Sequence, residues 1–390
     1  MIEHCGLSRT EKTRDENYRN PLPGHASTPS VVRAVDDTWR CRDDRHYRLR
    51  KGDWLSAPLW HDERMIWTPG REDRVDGMPT AEEWRQLSVV PEKREVYGCD
   101  LYFRECWADV LSVFGGDATG VLDGLAMLVV KPDAVVGRRL GPVMEYLADN
   151  GFVPVATTRL RYTRHSMREV WRYDWHIYTV DRLQLCTFYY LTNDVLLFLA
   201  RDVRPAAGLP ATVRLCELKG VGDPAQRKPH HLRTKLNPPN RILNFVHVGD
   251  EPADIVRELA IFLDRPERLR FLEELRAHLA EDRTAQARAE IAAIEADCPA
   301  HDLDIDATLD RLALMTRESA VARLRELVAG GERITWDELA ELVPFEKADR
   351  WDVIVTASFV VHNERPVPHA LLPPVSPEAW TAQSARHPVG

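Results

Sequence analysis

Between residues 121 and 265, short apolar runs alternate with amphipathic stretches in an order that few folds accept. "AMLVV" (126–130) reads as a short strand, and "RLGPVMEYLADN" follows as a helix closed by Asn150-Gly151, a pair suited to a helix C-cap. "FVPVATTRLRY" predicts a second strand, and "SMREVWRYDW" and "DRLQLCTFYYL" predict two helices. "VLLFLA" (195–200) has the unbroken apolarity of a buried strand, "ATVRLCEL" reads as a helix, and "ILNFV" (242–246) as the last strand. Ile255, Leu259, Phe262 and Leu263 then recur at helical spacing. Four strands separated by helices predict an α+β sandwich of the ferredoxin-like kind.

The flanks have a different texture. Residues 1–35 are polar and read as a flexible arm. Residues 36–120 hold six of the eleven tryptophans and predict an irregular Trp-rich accessory domain, with the tryptophans as bulky core rather than a stacking surface. Residues 266–375 read as a mostly helical domain. In it "TWDE" (335–338) is a capping box and "WDVIVTASFVV" a strand or hairpin. Acidic helices such as "WDELAEL" argue against a DNA-reading winged helix there. Residues 376–390 read as a loose tail.

The net charge of −9 and pI of about 5.9 argue against general affinity for nucleic acid or an anionic membrane. The seven cysteines form no CxxC pair. That argues against a disulfide framework or a structural zinc and for free thiols in a reducing, cytoplasmic compartment. The first twenty residues are too charged for a signal peptide, and no stretch has the length and apolarity of a membrane span.

Three segments carry candidate chemistry. In "VVKPDAVVGRRLG", Lys131 leaves the first strand. In "GVGDPAQRKPHHLRTKLNPPNR" (220–241), a long cationic connection is of a length that is often functional. In "NFVHVGDEPADIVRELAIFL" (244–263), His247 sits where a strand ends, although Asp250 is already available to cap the next helix. A histidine in such a place is more often structural than nucleophilic, and most charges of the long connection are more often solvated. The combination of the three segments is what raises the chemical reading.

Taken together, the segments resemble the nucleoside diphosphate kinase family over the central region only. "LVVKPDAV" is similar to its first-strand signature, "NFVHVGDEP" to its active-site segment and "GDPAQRKPHHLR" to its nucleotide-covering loop. The resemblance implies that His247 is the nucleophile for the ATP γ-phosphoryl group, oriented by Glu258. It implies that Lys131, Arg233, Arg214 and Arg182 hold phosphates, that Asn244 reaches the sugar, and that Trp171 takes the place of a tyrosine near the histidine. Mg²⁺ would arrive on the nucleotide, with no dedicated metal site in the protein. The chemistry agrees: phosphoryl transfer needs positioned positive charge, and a neutral imidazole can split it into two steps. There is no P-loop.

The sequence also departs from the family. Val248-Gly249 stands where a small residue and a serine are expected, and Gly222 where a phosphate-binding threonine is expected. Two other readings therefore stand beside a nucleotide-dependent phosphotransferase. One is a diverged enzyme serving a non-nucleotide acceptor bound at the flanking domains, and the other is a non-catalytic nucleotide sensor. The family resemblance also implies a homo-oligomer formed through this domain, which the flanking regions could block or replace.

Overall fold

The computed structural model describes residues 78–366 and 371–386. The chain divides at Trp67 into two units, and the described residues all belong to the second, Thr68–Gly390. The expected arm (1–35) and Trp39, Trp54, Trp60 and Trp67 lie outside the described residues.

The centre is a four-stranded antiparallel sheet in the order β2-β3-β1-β4. Its strands are β1 (Leu125–Val130), β2 (Phe152–Leu160), β3 (Val195–Asp202) and β4 (Val246–Val248). Every residue of β1 and the first six of β3 are buried, as two central strands covered on both faces require. The ferredoxin-like expectation holds.

Four helices precede the sheet: α1 (Ala81–Leu87), α2 (Pro91–Cys99), α3 (Leu101–Phe114) and α4 (Ala118–Asp123). The described part of the Trp-rich region is thus helical. Its two tryptophans serve as core: Trp84 stacks on Phe103 with centroids 4.9 Å apart, and Trp107 is fully buried. Between the strands run α5 (Pro132–Val136), α6 (Leu140–Asp149), α7 (Arg164–Val170), α8 (Val180–Tyr190), α9 (Ala211–Lys219) and α10 (Leu232–Leu236), and α11 (Pro252–Phe262) follows β4. The C-terminal part is helical: α12 (Arg265–His278), α13 (Thr284–Asp297), α14 (Ile305–Ala313), α15 (Glu318–Gly330), α16 (Trp336–Leu342), α17 (Arg350–Val360) and α18 (Pro377–Arg386). One hydrophobic cluster runs from Trp84 through the sheet to Val361. At the sheet edge, the N–H of Arg283 donates to the carbonyl of Pro154 in β2, so an outer helix caps part of an edge that would otherwise offer unpaired groups.

Four local expectations are corrected. "WDVIVTASFVV" is helix α17, not a strand or hairpin. Its residues from Trp351 to Ser358 are all buried, so neither a two-residue nor a 3.6-residue period shows, and its length suits a helix better. The last strand begins at Val246 rather than Ile242. Phe245 has φ +70°, and the Val246 N–H turns back onto the Asn244 carbonyl at 2.8 Å, a γ-turn that the ladder cannot continue through. Asp250 does not cap α11. Glu251 is the cap, in a reciprocal box with Asp254, and Asp250 faces Cys216 and Lys219 instead. The stretch from 376 is not loose over its described part, since Trp380 of α18 is buried and its Nε1 donates to Glu251 at 3.2 Å.

Helix α11 is buried along nearly its whole length yet carries charge. Lys93 of α2 reaches Asp254 at 2.9 Å and Glu251 at 3.1 Å, Ser88 Oγ donates to Glu251 at 2.6 Å, and Tyr97 Oη donates to Asp254 at 2.6 Å. Arg257 donates to Asp100 at 2.8 Å. Burial opposes the charge on Lys93, but the carboxylates of Asp254 and Glu251 outweigh it and hold the ammonium above its ordinary range. Removing one member of such a cluster strands the others. Lys93→Met should therefore destabilise the protein by about 3–5 kcal/mol, read from the urea midpoint at unchanged slope.

Candidate active site

Lys131 is the residue that β1 delivers at its exit, just before Pro132 starts α5. Its ammonium donates to the Ile242 carbonyl at 2.9 Å and to Asn244 Oδ1 at 2.6 Å. Asn244 is presented by the bend at Phe245. That bend is held by the Phe245 N–H donating to Asp133 at 2.9 Å and by the Lys131 N–H donating to the Phe245 carbonyl at 2.8 Å. A bulky residue at positive φ costs on the order of 1–3 kcal/mol, so the surroundings over-determine this geometry.

His247 is the middle residue of β4, paired with Val129. Its Nε2 faces both carboxylate oxygens of Glu258, at 2.9 and 2.8 Å. A proton on Nε2 suits that contact and leaves Nδ1 with a lone pair. Among the described residues no protein group hydrogen-bonds Nδ1. Glu258 is buried on α11, one β-to-α turn after the strand, which explains how a residue eleven positions on comes to the ring. Trp171 packs edge-on against the imidazole with centroids 5.4 Å apart.

A cavity opens in front of the ring. It is lined by His247, Lys131, Asn244, Trp171, Arg182 and Arg233, and also by Trp175, Tyr178, Cys186, Tyr190, Gly222, Arg241, Ile242 and Val246. Arg233 is aimed by two backbone carbonyls, Gly220 at 2.8 Å and Val246 at 3.0 Å. Gly220 has φ +79°, and a Cβ there would fall 2.3 Å from the His231 ring, so only glycine fits. The guanidinium of Arg182 stacks over the Tyr178 ring at 3.9 Å. Thus seven of the eight site residues expected from sequence come together, six on the cavity wall and Glu258 behind the histidine.

The eighth does not. Arg214 lies on α9, where it pairs with Asp202 at 2.6 Å and donates to the Asn150 carbonyl at 2.9 Å; it does not line this cavity. Its helix turns it toward the end of β3, and a carboxylate already there claims the fork. Tyr178, Trp175 and Arg241 were not anticipated. The signal available for Tyr178 was its place four residues before Arg182.

The two departures differ in the space around them. A Cβ on Gly222 would meet nothing within 4 Å, whereas one on Gly249 would come within 3.2 Å of the Asp254 side chain. The Gly249 carbonyl also accepts from Thr212 at 2.7 Å. A side chain at 249 needs its neighbours to give way, and one at 222 does not.

Electrostatically the cavity is built for an anion. Lys131, Arg182, Arg233 and Arg241 line it, and among the described residues no Asp or Glu does. Burial lowers the Lys131 pKa to about 8 and that of Arg233 to about 10, so both are charged at neutral pH. Among the described residues, no group of three or more His, Cys, Asp or Glu could hold a metal ion, and no helix is long and apolar enough to cross a membrane.

Residues 125–268 match the family model described as nucleoside diphosphate kinase. The match covers the central region only, less than half of the chain. The nucleoside diphosphate kinase of Aquifex aeolicus is 20% identical, with 37% of this chain and 96% of that one covered at a TM-score of 0.29. That of Halobacterium salinarum in complex with CDP is 20% identical, with 37% and 89% covered at a TM-score of 0.30. No curated protein matches the chain.

One consequence follows from Lys131. As pH rises through about 8 the folded protein loses this charge. Binding of inorganic pyrophosphate should weaken across that range, and calorimetry should show the loss removed in Lys131→Arg, whose charge persists.

Proposed function

We propose that the protein is a nucleotide-dependent phosphotransferase that works by a double displacement through His247. The observation that carries this reading is the pairing of His247 Nε2 with the buried Glu258 while the residue lines a cavity walled by Lys131, Arg182 and Arg233.

In the first step the Nδ1 lone pair attacks the γ-phosphorus of ATP. The N–P bond forms, the bond from phosphorus to the β-bridging oxygen breaks, and ADP leaves with that electron pair. Nε2–H stays directed at Glu258, whose negative charge offsets the positive charge that develops on the ring. Lys131, Arg182 and Arg233 hold the phosphate oxygens, on which most of the transition-state charge is spread. In the second step an acceptor diphosphate attacks the phosphorus and restores the neutral histidine. Magnesium, carried by the nucleotide and held chiefly by phosphates and water, adds charge neutralisation at the phosphates. In this reading Asn244 reaches the ribose and Trp171 fixes the plane of the ring.

The test is labelling with ATP radioactive at its γ-phosphorus. Wild type should acquire an acid-labile, base-stable label that His247→Ala lacks, and the label should pass to GDP or CDP. A wild-type protein that binds ATP but never labels would rule out the double displacement. Glu258→Gln keeps the shape but removes the charge-assisted hydrogen bond, worth about 1.5–3 kcal/mol. Its labelling rate should fall by roughly 10- to 150-fold.

Gly222 gives a prediction of opposite sign. The space above its Cα is open, and it faces the cavity. Gly222→Thr should add a hydroxyl donor toward the phosphates and lower the KM for ATP about threefold to tenfold, at little cost in stability.

A further inference from the structure

Two residues of the cavity wall are held by a part of the chain that lies beyond the family match. After α17, residues 361–366 run back to the segment that leads into α8. The Thr179 N–H donates to the Asn363 carbonyl at 3.3 Å, and the Arg365 N–H to the Ile177 carbonyl at 2.8 Å. The Thr179 hydroxyl donates to the His362 carbonyl at 2.6 Å. Tyr178 and Glu364 face each other in an antiparallel bridge. Glu364 then pairs with Arg241 at 3.0 Å. Tyr178 and Arg241 both line the cavity, so the strap fixes two of its wall residues from outside.

Size gives this arrangement a consequence. The cavity holds about 180 Å³. That is the volume of about six liquid waters and less than the ~300–1,000 Å³ usual for a ligand pocket. Its cations suit a short phosphate chain. A nucleoside attached to that chain needs more room than is left, so wall residues must give way, and Tyr178 and Arg241 are the two that the strap holds.

We propose that segment 361–366 is the specificity element of this cavity, with the Glu364–Arg241 pair as its latch: it decides how much of a substrate beyond the phosphates can enter. The proposal rests on the phosphotransferase reading for its meaning, but its test measures binding alone. The latch residues are about half exposed, at 55% for Arg241 and 43% for Glu364. A pair so placed shifts an equilibrium by at most about fivefold, so the backbone bonds hold the strap and the ion pair trims its closure.

Two variants of the full chain test it by calorimetry with Mg·ATP and with inorganic pyrophosphate. Glu364→Gln should tighten Mg·ATP about two- to fivefold, and by more than it tightens pyrophosphate, which also gains the freed Arg241 charge. The double variant Tyr178→Cys/Glu364→Cys places thiols at opposed bridge positions, where Cα atoms lie about 4.5–5.5 Å apart and a disulfide can form. Oxidised, it should bind Mg·ATP at least about tenfold more weakly than the same protein reduced, with pyrophosphate equal in both forms. Comparing two redox forms of one protein cancels the loss of the Tyr178 ring. Equal Mg·ATP affinity in the two forms, or an equal loss for both ligands, would overturn the proposal. If instead His247 fails to label while these differences appear, the double displacement falls and the specificity element stands.

Discussion

The structure turns on one helix that cannot be solvated and cannot be neutral. Helix α11 is buried from Pro252 to Ile261, yet Asp254, Arg257 and Glu258 lie on it and Glu251 caps it. Each charge must find a partner in the protein, because water does not reach it. Those partners come from every part of the described chain. Lys93, Ser88, Tyr97 and Asp100 come from the N-terminal helices, Trp380 from the C-terminal helix, and His247 from the sheet. The same constraint that joins the flanks to the centre therefore fixes Glu258, and Glu258 fixes the imidazole.

This gives the accessory regions a physical role around the site. The N-terminal helices hold the far side of α11, and α3 and α12 are joined through Asp109 with Arg268 at 2.7 Å. The C-terminal helices cap the edge of the sheet at Pro154 and send the strap to the segment before α8. The cavity wall is built from the strands, helices and turns of the central ferredoxin-like domain. Two of its residues, Tyr178 and Arg241, are held in turn by the C-terminal region of the chain.

The pairing of His247 with Glu258 was legible because it is local: one strand, one turn and one helix bring residues eleven apart face to face. Lys131 was legible for the same reason, since it stands where an apolar strand ends, whereas Asn244 came only from the resemblance of its segment to the family. Arg214 was misplaced because a helix offers several directions, and Asp202 in β3 decided which one it took. Trp175, Tyr178 and Arg241 carried no pattern of their own. They became site residues only when α8, the long connection and the strap met. Helix α17 was misread because burial on all sides erases the period that separates helix from strand.

Readable from the sequence alone are the alternation of strands and helices, the exit of β1 that carries Lys131, the histidine of the last strand, and caps such as the Thr335–Glu338 box. These depend on spacing within a few residues, where propensity and hydrogen bonding act directly. Only the tertiary structure decided which cations share a cavity, which helices lose their solvent face, and which distant carboxylate holds Arg241. Those outcomes depend on burial and on contacts between residues more than a hundred positions apart, such as Lys93 with Asp254 and Arg241 with Glu364. No local period in a sequence records them.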